Sequence, residues 1–339
     1  MNFMQAKQSK HYSMKTFSVI SSIISSSDIA DFVCEKYTLS PNTTCRLLKT
    51  GINHTYRIDS DNQRFIFRLY SYNWRTKEEI AEELKLLQLL KQNDIAVSYP
   101  ISDRSDNLIN TINAPEGLRF AVLFSFAKGN KVLNFSEDIH FEIGTLMAKI
   151  HQQTKGLELN RITYSTEILL NQSLNYIKPF LSDDTEEMQF LTATRFILEK
   201  ELLNANNKLL RTGIVHMDVW FDNLNISDDN KVTLFDFDFC GNGWLCLDIA
   251  YYILQLHSTE KDDTQRNTKI NAFYKGYETI EKISNEEKRL IPILGVCMYY
   301  FYLGVQCNRF ENWSNTFLNE VYLKRFISVL IKGYYEKVT

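Results

Sequence analysis

The sequence predicts an α+β chain of two lobes. A small antiparallel sheet with one internal helix fills residues 1–127, and a larger, mostly helical region fills 128–339. Three observations carry this reading. Between Cys45 and Tyr70 the apolar runs are short and are split by Gly51 and by Ser60-Asp61-Asn62, as in an antiparallel meander. Beyond Lys128-Gly129-Asn130, the best linker candidate, apolar residues recur at helical spacing almost to the end. One β island, from Ile214 to Phe239, interrupts those helices.

The elements follow in order. Residues 1–16 are polar and aperiodic and are expected to be flexible, and Met14 would serve equally well as a start. Ser27-Asp28 caps a helix that runs to about Tyr37. Arg46–Thr50, His54–Asp59 and Arg64–Tyr70 are strands, and a helix with Ile80, Leu84 and Leu87 on one face spans Thr76–Gln92. Two more strands are expected near Ile101 and over Arg119–Phe126. Helices are then expected over Glu137–Gln153, Thr166–Pro179, Glu186–Arg211, Leu247–His257, Gln265–Thr279 and from Asn285 to near the end.

Composition narrows the functional classes. Lys and Arg number 38 against 41 Asp and Glu, a net charge of −3, so no overall positive field draws nucleic acid. None of the six cysteines forms a Cys-x-x-Cys pair, which argues against a zinc ribbon or a thioredoxin-like site and for reduced, buried thiols in a cytoplasmic protein. The N-terminal lysines precede no apolar stretch of signal-peptide length. The apolar run Ile291–Val305 is shorter than the roughly 18 residues of a membrane span, and a buried helix with no membrane partner is expected.

The β island carries the chemistry. Leu224–Ile226 and Val232–Phe235 are short strands joined by the turn Asp228-Asp229-Asn230-Lys231. A hairpin centred between Asp229 and Asn230 sets Asn223 opposite Asp236 at its open end. An amide oxygen beside a carboxylate makes a hard-oxygen site for Mg²⁺. Asp218, on the loop entering the hairpin, stands close to that site without being a ligand. This is the logic of phosphoryl transfer: one Asp accepts a hydroxyl proton, while an Asn and a second Asp hold the metal that bridges the phosphates. No Gly-x-x-x-x-Gly-Lys-Ser/Thr occurs, which excludes a P-loop enzyme. In the N-terminal region Arg68 lies mid-strand among apolar neighbours and needs an anionic partner. Glu83 lies beside the apolar stripe of the following helix and Glu82 opposite it, so Glu83 is the partner expected.

His216-x-Asp218-x4-Asn223 followed by Leu234-Phe-Asp236-Phe-Asp238 resembles the signature of the aminoglycoside phosphotransferase and choline kinase group. The resemblance extends over roughly residues 30–330 and implies a protein-kinase-like fold. It implies Asp218 as the catalytic base, His216 as a brace of the catalytic loop, and Asn223 and Asp236 as magnesium ligands. Asp248 matches an acidic position with a structural role. Leu48 to Ile58, with Gly51 and Asn53 at its turn, is similar to the group's phosphate loop, and the backbone after Phe126 would pair with the base as a hinge. Two departures stand out: Met217 follows His216 where the group usually has Gly, and Arg68 stands where Lys is commoner. Asp238 is open to three readings: a second metal, a substrate amine, or solvent. The implied activity is transfer of the γ-phosphate of ATP, or GTP, with Mg²⁺, to a hydroxyl of a small molecule such as homoserine, an amino alcohol, a sugar or an aminoglycoside. A monomer or homodimer is expected. The aromatics around Trp244, Tyr299–Tyr302 and Trp313 read as core. A Ser/Thr protein kinase on the same fold is the alternative, disfavoured by the short path from Cys240 to Asp248, and a non-catalytic nucleotide-binding module is the third reading.

Overall fold

A computed structural model describes residues 17–339; the expectations for residues 1–16 lie outside the described residues. Helix α1 (Ser26–Tyr37) comes first, starting one residue ahead of the expected Ser27. A sheet of six strands follows: β1 (Thr44–Thr50), β2 (His54–Ser60), β3 (Gln63–Leu69), β4 (Pro100–Ile101), β5 (Asn110–Ala114) and β6 (Gly117–Ser125). Helix α2 (Lys77–Gln92) interrupts them, opened by a capping box between Thr76 and Glu79. The pairing is antiparallel throughout, in the order β1-β2-β3-β6-β4, with β5 also on β6. Strand β5 was absent from the sequence reading, because Asn-Thr-Ile-Asn-Ala shows almost no apolar alternation.

Alternation along the strands gives the sheet two faces. Phe67 and Leu69 join Tyr56, Ile58, Ala121 and Leu123 in a core closed by Ile29 and Val33 of α1. Arg68, between them in sequence, therefore points the other way, toward α2 and the rest of the molecule. That second face belongs to one continuous core that includes Ile80, Leu84 and Leu87 of α2 and the apolar residues of the helical region.

The chain leaves the sheet through Ala127–Asn130. Gly129 has φ +97°, and a side-chain carbon there would overlap the Ile226 carbonyl. Asn130 and Ile226 exchange two backbone hydrogen bonds of 2.9 Å, which tie this segment to the β island. Helix α3 (Glu137–Thr154) follows, then a π-helical turn (Glu167–Gln172) running into α4 (Ser173–Ile177), and α5 (Glu186–Leu203). The expected continuation of α5 to Arg211 is not present: Asn206 turns its side chain onto the Lys208 N–H and starts a short 3-10 turn instead.

Next come β7 (Thr212–Val215), β8 (Leu224–Ile226), β9 (Val232–Leu234) and β10 (Gly241–Trp244). Helices α6 (Cys246–Thr259), α7 (Asp263–Glu278) and α8 (Asn285–Asn308) complete the larger lobe with α9 (Glu320–Arg325) and α10 (Gly333–Val338). The single helix expected beyond Asn285 is broken after Asn308. Arg309 receives the Trp313 and Ser314 amides on its carbonyl, and Asn319 caps α9 through the Tyr322 amide. Helix α8 has 24 residues and a mean hydropathy of 1.6 over its most apolar stretch, long and apolar enough to cross a membrane, but 72% of that stretch is buried within the protein.

Candidate active site

The hairpin β8–β9 is one residue tighter than expected. Leu224 pairs with Leu234 and Ile226 with Val232, so the turn centres on Asp229, with Asn230 in the left-handed region at φ +61°. Asn223 consequently faces Phe235, whose amide donates to its carbonyl (3.0 Å), and not Asp236. Asp236 lies one step further on, at φ +66°, where the backbone turns out of the strand. The expected facing pair is therefore not formed by the register, but Asn223 and Asp236 both line one cavity of about 530 Å³.

Asp218 is fixed from three elements. Its Oδ1 accepts from Tyr251 of α6 (2.8 Å) and Tyr302 of α8 (3.0 Å), and its Oδ2 accepts from Asn223 Nδ2 (2.7 Å). Burial first, and the nearby Asp236 second, push its carboxyl up to about 6, against the pull of those three hydrogen bonds. Asn223 Nδ2 also donates to the Asp218 carbonyl (2.9 Å), which uses both amide protons and leaves its carbonyl oxygen free. Asp236 gives Oδ1 to Arg68 (2.9 Å), and its side chain is 39% exposed, so Oδ2 is open to the cavity. One amide oxygen and one carboxylate oxygen are thus presented together, a donor set that suits Mg²⁺ completed by water and phosphate oxygens.

His216 does not reach the cavity. It is 2% exposed and joins two loops: Nδ1 accepts the Asp218 amide (3.0 Å), so the ring proton sits on Nε2, which donates to the Phe235 carbonyl (3.2 Å). Burial lowers its pKa, which keeps this neutral tautomer. Asp248 accepts the amides of His216 (2.8 Å) and Met217 (2.7 Å), together with His151 Nε2 of α3 (3.0 Å). Met217 itself has φ +71°, the region glycine favours.

Arg68 and Glu83 meet at 2.9 Å; Glu83 is fully buried and also accepts from Tyr70 (3.0 Å). Arg68 lies over the Phe124 ring (5.0 Å) and bridges Glu83 to Asp236. Of the expected loop residues, Gly51 and Asn53 do not line the cavity: Asn53 turns back to accept the Ser71 amide (3.2 Å), and Gly51 has room for a side chain. Leu48 and Lys49 of the same loop line it instead, and Phe126 and Ala127 line its far side. Lys49 and Lys131 both grip Asp222, at 2.9 and 2.5 Å, and together they outweigh the effect of its burial and hold that carboxyl below its ordinary value.

Asp238 is neither exposed nor available to a metal or a substrate amine. It is 2% exposed, accepts from Trp74 Nε1 (2.7 Å) and pairs with Arg75 (3.2 Å). Burial alone would raise its pKa; Arg75, Arg68 and Arg161 more than offset this and lower it. Arg161 donates to the Asp238 carbonyl (2.5 Å) and lies 3.7 Å from Glu83. Sequence reasoning missed Arg75 and Arg161, which lie outside every motif. It also missed Tyr251 and Tyr302, whose helical spacing reads as core and whose stacked rings (5.0 Å) do pack there.

A family model described as the phosphotransferase enzyme family matches residues 44–283. Amicoumacin kinase of Bacillus subtilis is 24% identical over 259 residues, 73% of this chain and 75% of that protein. Homoserine kinase of Polaromonas naphthalenivorans is 25% identical over 257 residues, covering 72% and 75%. Among solved structures, a microcompartment-associated aminopropanol kinase superposes with a TM-score of 0.74 at 19% identity, over 92% of this chain and 98% of that one.

Proposed function

The chain belongs to the phosphotransferase enzyme family, and on that premise we propose that it moves the γ-phosphoryl group of ATP to a hydroxyl of a small molecule. The observation that carries the reading is the Asp218 carboxylate, held by Tyr251, Tyr302 and Asn223; Asp218 does not itself line the cavity but bonds to Asn223, which lines it together with Asp236. In this reading Asp218 orients the acceptor hydroxyl and takes its proton as the new O–P bond forms and the bond to the departing ADP breaks. Arg68, steadied by Glu83, and Lys49 and Lys131 meet phosphate oxygens, while the wall from Phe124 to Ala127 meets the base. Asn223 and Asp236 would hold Mg²⁺, which neutralises charge on the phosphates. We place the division between the lobes at 127/128.

The named relatives act on hydroxylated small molecules, which supports an acceptor of that size over a protein. Strand β10 passes within two residues into α6, which leaves little chain for docking a peptide.

Asp218→Asn separates the roles. Single-turnover transfer should fall by about 10²–10⁴-fold, while Mg-nucleotide binding by titration changes little. Asp236→Asn should weaken binding and transfer together. Near-normal transfer by Asp218→Asn would refute the mechanism.

A further inference from the structure

Arg309 is a buried cation without an anion. It is 7% exposed, and its Nε and Nη2 are buried with no hydrogen-bond acceptor. Among the described residues no carboxylate forms an ion pair with it. Asp238 acts on it through space but is already taken by Trp74 and Arg75. What Arg309 touches is the face of Trp74, 4.8 Å from the ring centre. The indole face attracts a desolvated guanidinium but accepts none of its in-plane N–H bonds, and an unpaired buried charge is costly. The Nε–H and Nη2–H edge is the side-on fork that matches a carboxylate bidentately.

Its place in the fold says which molecule would use that fork. Arg309 closes α8, two turns beyond Tyr302 and on the same helical face, about 10 Å along the axis. Tyr302 reaches Asp218. Aromatic rings connect the two ends: Tyr302 packs on Phe239 (5.8 Å), Phe239 on Trp74 (6.0 Å), and Trp74 under Arg309. Trp74 comes from the segment between β3 and α2, so the fork lies on the seam between the lobes.

We propose that Arg309 receives a carboxylate of the acceptor, so that the substrate is a small hydroxy acid. Its hydroxyl lies at Asp218, its carboxylate at the Arg309 fork, and Trp74 closes over the carboxylate as the lobes come together. This rests on the kinase reading above and narrows it to one class of acceptor.

The test uses acceptor pairs that differ only in the carboxylate: homoserine with 3-aminopropan-1-ol, threonine with 1-aminopropan-2-ol, and serine with ethanolamine. The wild type should favour the acid of its preferred pair by on the order of 10²-fold or more in kcat/KM, as expected where a site's buried polar group would be left unpaired. Arg309→Met and Arg309→Lys should both abolish that preference, Lys because it lacks the fork. If no pair turns over, the Mg-nucleotide complex should still gain thermal stability from the acids and not from the amines, and only when Arg309 is present. In the protein without ligands Arg309→Met should melt at the same temperature as wild type or higher, because a cation without a partner is removed. Equal use of acid and amine, a preference for the amine, a preference unchanged in Arg309→Met, no differential stabilisation by the acids in the absence of turnover, or a marked loss of stability in Arg309→Met would each overturn the proposal. Failure to bind nucleotide, read by titration in the same samples, would instead overturn the kinase reading.

Discussion

Two tyrosines and an asparagine hold the Asp218 carboxylate, and they set its titration as well as its position. Without metal its pKa is pushed up to about 6; Mg²⁺ held at Asp236 would remove the second of the two causes, so transfer should show an acidic limb below 6. Tyr251→Phe removes a hydrogen bond that favours the ionised form. The limb should then move up by about one pH unit, from ~1.5 kcal/mol for a bond to a charged acceptor; a pH-rate profile of the variant checks it. The same shift has a sign for stability. A carboxyl whose folded pKa lies above its unfolded value near 3.9 stabilises the fold below that value and loses the contribution as pH rises through about 6. Asp218→Asn should therefore melt no lower than wild type at neutral pH. Placement was legible in the sequence where it depends on residue type and spacing: the buried Arg68–Glu83 pair, and Asn223 with Asp236 on one cavity. Met217 was legible only as a departure, and its positive φ accounts for it: the loop keeps the glycine-like turn, and a fully buried side chain offsets the strain. Tyr302 and Arg309 were illegible because their partners lie far away in sequence.

Helices α3 and α7 cross at two glycines. A side-chain carbon on Gly144 would overlap the Phe273 carbonyl, and one on Gly276 the Phe141 carbonyl. The contact reaches the site through His151 of α3, which bonds Tyr277 of α7 (2.7 Å) at one nitrogen and Asp248 (3.0 Å) at the other. Asp248 in turn holds the amides on which Asp218 depends. Gly276→Ala should cost about 1–3 kcal/mol through overpacking, seen as a lower Tm, and should slow transfer although it lies outside the cleft. Element order was readable from periodicity, but element ends were not. The end of α5, the start of α9 and the register of β8 with β9 involve single asparagines, Asn206, Asn319 and Asn230, whose side chains or left-handed backbones compete with regular structure.

Across the whole molecule, the cavity takes its walls from residues on both sides of 127/128, and three ion pairs join the two sides: Lys49 to Asp222, Arg68 to Asp236 and, away from the cavity, Arg75 to Asp238. In the proposed reading phosphates would compete with Asp222 for Lys49 and Lys131, so that nucleotide binding would exchange contacts across the cleft. A metal-dependent rise in Tm is expected, with stabilisation of about 2.7 kcal/mol at a hundredfold excess over Kd; chelation should remove it. Arg68→Ala should reduce that rise more than Glu82→Ala, because Glu82 does not line the cavity and instead accepts the Asn160 amide and pairs with Lys85 (3.8 Å). The buried chain Asp236–Arg68–Glu83–Arg161, with Asp238 and Arg75 beside it, also bears on how this protein can evolve. Loss of one member strands a charge at a cost of about 3–5 kcal/mol, a large share of the 5–15 kcal/mol that keeps a typical protein folded. Single-step lineages through such an intermediate would be purged, whereas the acceptor walls are free to drift. Arg75 and Asp238 should accordingly be inherited or lost as a pair among relatives with different acceptors, and frequent loss of one without the other in a family alignment would show that the network tolerates gaps.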